Sequence, residues 1–123
     1  MSRKSNLLKF QSLSSVSMSA STTSVVTNIS ILDNVGVQFN FSGAPVGTFQ
    51  VEVSADYAED TQGNVTHPGS WTPLTLSPSP AASGSASTIY IDLNQLSAPW
   101  LRTSYTATSG SGELSAYITA KMV

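Results

Sequence analysis

Acid–base and nucleophilic chemistry has few candidate residues in this sequence. His67 is the one histidine of the chain, and there is no cysteine. His67 stands between Thr66 and Pro68 in a polar stretch, and no serine occupies a G-x-S-x-G nucleophile elbow. One histidine without cysteine also leaves a transition-metal site short of ligands. We therefore expect no catalytic residue, no metal site and no bound cofactor, and we interpret the chain as not an enzyme.

The acidic residues are the next chemical candidates. Asp56, Glu59 and Asp60 form a cluster, and oxygen-rich loops on β-sandwiches can hold Ca²⁺. The spacing departs from the calcium-loop pattern, because threonine and glutamine follow Asp60 where ligands are needed. A hydrolase would need two carboxylates, or one carboxylate and His67, converging in a cleft, and no spacing favours such a pair. We interpret the cluster as a solvated loop, with calcium as the alternative.

Aromatic rings are the remaining candidates, since they could offer a platform on which a sugar stacks. The tyrosines and tryptophans are Tyr57, Trp71, Tyr90, Trp100, Tyr105 and Tyr117. In a small sandwich most such rings fill the core or a subunit contact. Trp71 and Trp100 each begin a stretch with strand character, a position suited to closing an end of the sandwich or an interface. A carbohydrate-binding module that uses Trp71, Trp100 or Tyr57 on a glycan stays open as the alternative.

The charges are sparse and unevenly placed. Charged residues make up 10% of the 123 residues and the net charge is −2, whereas about 25% charged residues is typical of soluble domains. Arg3, Lys4 and Lys9 lie within the first nine positions, and the rest of the chain is acidic. Such a basic tip suits contact with an acidic neighbour, including a second copy of the chain. A solvated terminus is the alternative. The acidity of the body argues against binding of nucleic acid.

The first twenty residues are interpreted as an arm. Residues 11–21 are dominated by serine and show neither strand alternation nor a helical stripe, although residues 6–10 permit a short helical turn. Fully extended, residues 1–20 would reach on the order of 65 Å, enough to cross a subunit boundary, and disorder is the alternative. No apolar run approaches the ~20 residues of a membrane span, and the start is too broken for a signal peptide. We expect no membrane contact.

From residue 22 onward, apolar and polar residues alternate with the period of two that β-strands show. Residues 35–41 and 49–55 alternate on either side of a Gly/Pro turn and predict a β-hairpin. The other predicted strands are residues 25–32, 71–76, 88–93, 99–108 and 114–120. These strands predict an all-β fold: a single antiparallel β-sandwich of about seven to eight strands, jelly-roll-like or immunoglobulin-like. It would occupy residues 21–123 behind an extended N-terminal arm.

Three segments carry a resemblance to a known family. They are residues 33–40, residues 47–57 and the tail from 91 to 123, which includes Pro99-Trp100-Leu101-Arg102 and Ser109-Gly110-Ser111-Gly112. Together they resemble the small β-sandwich virion structural proteins encoded among the structural genes of tailed bacteriophages and related prophages. The resemblance covers nearly the whole chain after residue 30. It is carried by strand-and-turn patterns, which mark a fold and no particular contact.

The resemblance implies a virion component made in the cytoplasm of a bacterial host. It implies a capsid decoration or accessory protein, with a tail or fibre position as the near alternative. The implied partners are further copies of the chain, such as a trimer, and other virion proteins such as the major capsid protein. Weak contacts repeated over a lattice strengthen one another through avidity. From charge and aromatic character, we predict partner contacts at Arg3, Lys4, Lys9, Phe10, Trp71 and Trp100.

Overall fold

Twelve β-strands account for the regular structure of residues 7–93 and 96–122, the part of the chain that this computed structural model describes. The strands are β1 (Leu7–Ser17), β2 (Thr22–Thr23), β3 (Thr27–Asn28), β4 (Leu32–Phe41), β5 (Val46–Ser54), β6 (Ala58–Glu59), β7 (Val65–His67), β8 (Thr72–Pro73), β9 (Ala81–Ser83), β10 (Ser87–Asp92), β11 (Trp100–Ser109) and β12 (Glu113–Met122). Within these residues, no helix has the length and apolar character needed to cross a bilayer. The all-β prediction is confirmed.

Two antiparallel sheets face each other. Sheet 1 has the strand order β1-β12-β4-β10. Sheet 2 has β11 and β5 at its centre, with β2 and β3 following one another along β11, and β8 and β9 along β5. We count β2 and β3 as one strand, and β8 and β9 as another. Every connection then crosses from one sheet to the other, except the connection from β5 to β8 and β9, which stays within sheet 2. Eight strands joined in this way form a jelly roll, which decides between the two predicted sandwich topologies.

The inward side chains of the two sheets form one core. Phe39 of sheet 1 meets Phe49 of sheet 2 with ring centroids 4.6 Å apart, and Phe49 meets Tyr105 at 5.0 Å. Between residues 114 and 120, the inward residues of β12 are buried: Leu114, Ala116, Ile118 and Ala120. These are the faces that the alternation of the sequence predicted. Because apolar surface removed from water contributes about 25 cal/mol per Å², this shared core holds the sheets together.

The predicted hairpin between residues 35–41 and 49–55 is wrong. Strand β4 pairs with β12 and β10 in sheet 1, whereas β5 pairs with β11, β8 and β9 in sheet 2. Residues 42–45 therefore carry the chain from one sheet to the other. Facing sheets lie about 10 Å apart, a distance that four residues can span. Alternation shows which face of a strand is buried, but it does not show which strand supplies the hydrogen bonds.

Part of the predicted arm is a strand of the sandwich. Residues 7–17 form β1, which pairs along its length with β12 at one edge of sheet 1. The helical turn considered for residues 6–10 is therefore wrong for Leu7–Phe10. The register shifts twice between Gln11 and Val16, so bulges interrupt the alternation that would have revealed the strand. The division into an arm over residues 1–20 and a domain over residues 21–123 stays a prediction.

The strand predicted over residues 25–32 is short in the structure, with only Thr27–Asn28 and the start of β4 in strand conformation. Ser24 takes the place of a strand partner at the break between β2 and β3. Its N–H donates to the Thr103 carbonyl at 2.8 Å, and its hydroxyl accepts from the Thr103 N–H at 2.8 Å. A side-chain oxygen thus satisfies a buried backbone donor that would otherwise lack a partner.

Candidate functional site

The loops of the jelly roll gather at two ends that differ in chemistry. The loops at one end are residues 18–21, 42–45, 84–86 and 110–112. Apart from the buried Met18, every residue in them is Ser, Gly, Ala or Pro. We call this surface the small-residue end. The opposite end holds the long connection of residues 55–71, with its aspartates and Trp71, and we call it the charged end.

Backbone hydrogen bonds tie the loops of the small-residue end into one unit. The bonds are Met18 N–H to Gly112 O (2.9 Å), Ala44 N–H to Ser111 O (2.9 Å) and Gly84 N–H to Pro45 O (2.8 Å). Each loop is therefore joined to the next across the end of the molecule. The result is a surface without charged loop side chains, in which the backbone is already ordered.

Gly110 allows two of these loops to come into contact. Its φ is +77°, in the left-handed region that side chains disfavour. A Cβ atom at this position would also collide with the carbonyl oxygen of Ala44. The close approach of the loops over residues 42–45 and 110–112 therefore depends on the absence of a side chain here.

The aspartates of the charged end hold their own loop. The Asp56 carboxylate accepts from the Ser70 N–H at 2.7 Å and from the Ser54 hydroxyl at 2.9 Å. The Asp60 carboxylate accepts from the backbone N–H of Asn64 at 2.9 Å and from its side-chain amide at 3.1 Å. These hydrogen bonds lower the pKa of both carboxyls. In the described part of the chain, no group of three or more His, Cys, Asp or Glu side chains is placed to hold a metal.

Tyr57 and His67 are bonded within the same connection. The Tyr57 hydroxyl donates to a carboxylate oxygen of Glu59 at 2.6 Å, and this hydrogen bond raises the pKa of Tyr57. The Nδ1 atom of His67 accepts from the Gly69 N–H at 3.1 Å. His67 and Glu59, two of the acid–base candidates from the sequence, thus make hydrogen bonds within the turns in which they lie.

Trp71 and Trp100, two of the predicted contact residues, meet through Tyr57. The centroid of the Tyr57 ring lies 5.6 Å from that of Trp71 and 4.8 Å from that of Trp100. Tyr57 is buried, whereas both tryptophans are half-buried. The Arg102 guanidinium covers one face of Trp71, 4.3 Å from the ring centroid, and its Nε donates to Glu52 at 2.7 Å. We call Glu52, Tyr57, Trp71, Trp100 and Arg102 the aromatic cluster.

The Glu52–Arg102 pair was not predicted from the sequence. The two residues are directly opposite in the pairing of β5 with β11, although many residues separate them in the chain. Opposite charges at facing positions of neighbouring strands stabilise a sheet. The signal was therefore present in the sequence, but it becomes visible only when the partner and register of β5 are known.

Lys9 and Phe10 lie away from the aromatic cluster, on the edge strand β1 of sheet 1. The Lys9 Nζ atom is 5.6 Å from the centroid of the Tyr117 ring, and Phe10 is 37% exposed. Arg3 and Lys4 lie outside the described residues. The structure thus separates the predicted contact residues into one group on β1 and another in the aromatic cluster. That any of them touches a partner stays a prediction.

An open groove of about 600 Å³ runs beside strand β10. One wall is formed by residues 89–92 of this strand, and the other by residues 75–81. Within the described residues β10 pairs only with β4, so the groove lies along its open edge. A second, polar depression lies on the outer face of sheet 2, next to Glu52 and Arg102.

Comparison with known proteins gives structural likenesses only. No protein-family model matches the chain, and no curated protein matches it significantly. A structure of infectious bursal disease virus Gx strain aligns at a TM-score of 0.49 and 9% identity, over 94% of this chain and 32% of that chain. Tripeptidyl peptidase 2 aligns at 0.48 and 11% identity, over 94% of this chain and 10% of its own length. The tobacco streak virus coat protein dimer aligns at 0.43 and 10% identity, over 97% of this chain and 87% of that chain.

The structures that align thus include a viral coat protein and a peptidase. The chain spans about a third of the viral chain named first and a tenth of the peptidase. All three TM-scores lie below 0.5 and all identities below 15%.

Proposed function

We propose that the chain is a structural protein of a bacteriophage virion, a capsid decoration or accessory protein that acts through protein–protein contacts. The small-residue end carries this proposal. Its loops hold no charged side chain, so covering them removes no charge from water. Their backbone is tied by hydrogen bonds before any partner arrives, and a preordered surface loses little conformational entropy on binding.

The segments that carry the sequence resemblance support the proposal. Residues 33–40 and 47–57 contribute most of β4 and β5, and the tail contributes β11 and β12. These four strands are the central strands of the two sheets. Viral capsid proteins have jelly-roll folds, but so do lectins. The fold alone therefore does not decide between a capsid role and a sugar-binding role. The distinction between these two roles depends on the surface of the molecule.

The proposed partners are further copies of the chain, in trimers or other closed rings, and the major capsid protein. The proposed location is the virion, and the chain is made in the cytoplasm of the bacterial host. A decoration protein repeats the same contact many times on one particle. Modest affinity at each contact is then enough for stable attachment, because the linked contacts act together.

The first experiment asks whether the chain is part of a particle. Phage particles induced from the source bacterium would be purified by density gradient, and their proteins measured by mass spectrometry. The proposal expects the chain at many copies per particle. Its absence from intact particles would contradict the proposal.

A second experiment tests the small-residue end. Ala20 and Ser85 are exposed there, and the double substitution Ala20→Glu/Ser85→Glu would place two charges on it. We expect this variant to lose particle binding at least about tenfold, because buried charges are costly. Thr66→Glu at the charged end is the control and should bind as the unchanged chain does. Equal binding by all three proteins would exclude this end as the contact.

A carbohydrate-binding module associated with a tail or fibre is the second candidate. It is favoured by the half-buried Trp71 and Trp100 rings and by the polar depression next to Arg102. A glycan array, followed by tryptophan fluorescence titration of Trp71→Ala and the unchanged chain, tests it. Binding that Trp71→Ala abolishes would favour this candidate, and silence across the array would remove it.

A further inference from the structure

Within the described residues, each edge strand of sheet 1 pairs on one side only, and the two edges carry opposite charges on the outer face. Lys9 of β1 pairs with Thr119 of β12, which pairs with Gly36 of β4. Gly36 in turn pairs with Asp92 of β10. Directly paired residues point to the same face of a sheet. Lys9 and Asp92 therefore occupy the two ends of one cross-strand row, and both are exposed.

The neighbouring rows end in matched side chains as well. The next outer row runs from Gln11 on β1 to Tyr90 on β10, which is 56% exposed. The inward row between these two runs from Phe10 to Ile91. Phe10 is 37% exposed although the residue paired with it, Ile118, is completely buried. Each edge thus offers a charged, an apolar and a polar side chain in the same order. On β1 these are Lys9, Phe10 and Gln11, and on β10 they are Asp92, Ile91 and Tyr90.

The directions of the edge strands permit these positions to meet between copies. Sheet 1 has four strands, all antiparallel to their neighbours, so β1 and β10 run in opposite directions. A second copy placed beside the first in the plane of the sheet would therefore set its β10 antiparallel to β1. In antiparallel pairing, residues that face each other alternate between pairs that exchange hydrogen bonds and pairs that do not.

The groove beside β10 gives an incoming strand somewhere to lie. Neighbouring strands are about 4.8 Å apart, and the groove of about 600 Å³ opens along the strand between residues 89–92 and residues 75–81. Within the described residues, β1 pairs only with β12 and β10 only with β4. Open strand edges of this kind are templates for pairing with another chain.

We propose that copies of this chain assemble by pairing β1 of one copy with β10 of the next, which sets Lys9 against Asp92 and Phe10 beside Ile91. The inference rests on the proposed function, in which a second copy is a partner, and it specifies the two surfaces that meet. The contact is head-to-tail. It closes into a ring if the rotation between copies permits closure, and otherwise it extends as a filament.

Charge reversal provides the first test. Lys9→Glu sets two acidic side chains against each other across the contact, and Asp92→Lys sets two basic ones. Since facing charge pairs contribute modestly and like charges oppose pairing, each variant should self-associate about five- to thirtyfold more weakly in sedimentation velocity. An equal mixture of the two variants restores opposite charges at every contact between unlike copies. We expect the mixture to associate as the unchanged chain does.

The controls reverse charges of the same sign on the same sheet, away from its edges. Lys121→Glu and Glu113→Lys lie on the interior strand β12, and their net charges match those of the two edge variants. We expect neither control, nor their mixture, to change self-association. Association that is equally weak in edge variants and controls would show a general charge effect and overturn the proposal.

Disulfide trapping provides a second test, which is clean because the chain has no cysteine. Facing residues of antiparallel strands have Cα atoms about 4.5–5.5 Å apart, within the range that a disulfide spans. Mixed Lys9→Cys and Asp92→Cys chains should form a crosslinked dimer on mild oxidation. Mixed Lys9→Cys and Glu113→Cys chains should not. Absence of the first crosslink at concentrations where the chain associates would overturn the proposal.

The two proposals fail in different ways. If the chain is found in particles or associates in solution, but neither charge reversal nor trapping involves the edges, the edge pairing is wrong and the proposed function stands. If the unchanged chain stays monomeric at all concentrations and is absent from particles, both are wrong.

Discussion

Arg102 lies over Trp71, with the guanidinium carbon 4.3 Å from the centroid of the indole ring. The same guanidinium pairs with Glu52 through a hydrogen bond of 2.7 Å. One side chain thus connects the charged end of the molecule to the outer face of sheet 2. The flat face of the guanidinium stacks on Trp71 while an N–H in its plane donates to Glu52. A lysine side chain could not make both contacts.

Removal of this guanidinium should destabilise the fold. Arg102→Ala leaves Glu52, whose side chain is only 16% exposed, without its partner and uncovers Trp71. We expect a loss of about 1–2 kcal/mol in the free energy of unfolding, measured by urea titration. Arg102→Lys keeps the charge but not the stacking geometry. Its free energy of unfolding should therefore lie between those of the unchanged chain and of Arg102→Ala. Unchanged stability in Arg102→Ala would contradict the interpretation of this contact.

Acid should loosen the charged end through Asp56 and Asp60. Hydrogen bonds lower the pKa of each carboxyl in the folded state below the ordinary value of 3.8. A carboxyl of this kind contributes stability above its unfolded pKa and loses that contribution as the pH falls through its folded pKa. Stability should therefore decline as the pH drops below 3.8, and less steeply in Asp56→Asn and Asp60→Asn.

The measurement is the urea midpoint at a series of pH values. Gln62→Ala alters the same connection without removing a carboxylate, and it should keep the slope of the unchanged chain. Identical slopes in all variants would show that these two carboxylates do not contribute to the acid response.

Gly110→Ala should be among the most damaging single-methyl changes. The new Cβ would occupy a left-handed conformation and collide with the Ala44 carbonyl, for a combined loss of about 3 kcal/mol. Gly84→Ala is the matched control. Gly84 also has a positive φ, +97°, but apart from its chain neighbours no heavy atom lies within 4 Å of the place that a Cβ would take. The control should lose only about 1 kcal/mol, and equal losses in thermal unfolding would argue against the collision.

Two buried hydroxyls should be dispensable for stability. The Tyr105 hydroxyl and Thr103 Oγ1 are buried without a hydrogen-bond partner among the described residues, and burial raises the pKa of Tyr105. Tyr105→Phe and Thr103→Val should therefore leave stability unchanged or raise it by about 1 kcal/mol. Tyr57→Phe is the control, for which we expect a loss of stability. It removes a hydroxyl bonded to Glu59 and should lose about 1 kcal/mol in urea unfolding.

The faces of the strands could be predicted from the sequence, but their partners could not. The inward positions of β11 and β12 follow from alternation, because each residue of a half-buried strand meets either the core or water. Whether residues 42–45 form a hairpin turn or cross between the sheets depends on which strands, later in the sequence, pair with β4 and with β5. At β1 the bulges break the alternation itself, so the sequence showed only a serine-rich arm.

The candidate surfaces were visible only in pieces. Sequence analysis selected Trp71 and Trp100, but the ring of Tyr57 that joins them and the Arg102–Glu52 pair depend on the register of distant strands. The Gly and Ser turns were likewise recognised one by one. That the turns at residues 42–45 and 110–112 meet residues 84–86 and residues 18–21, which the sequence placed in the predicted arm, follows from the jelly-roll crossings, which no local pattern encodes.

The linked loops of the small-residue end restrict how the gene can change over time. An insertion in residues 42–45 would displace backbone groups that the loops on both sides use as acceptors or donors. Tyr57 and Trp71 pack on Trp100 and Arg102, but the residues between these two rings bond mainly among themselves. The stretch between the rings can therefore lengthen or shorten without disturbing a neighbouring loop. Length variation among descendants of this chain should therefore accumulate at one pole of the molecule and be nearly absent from the other.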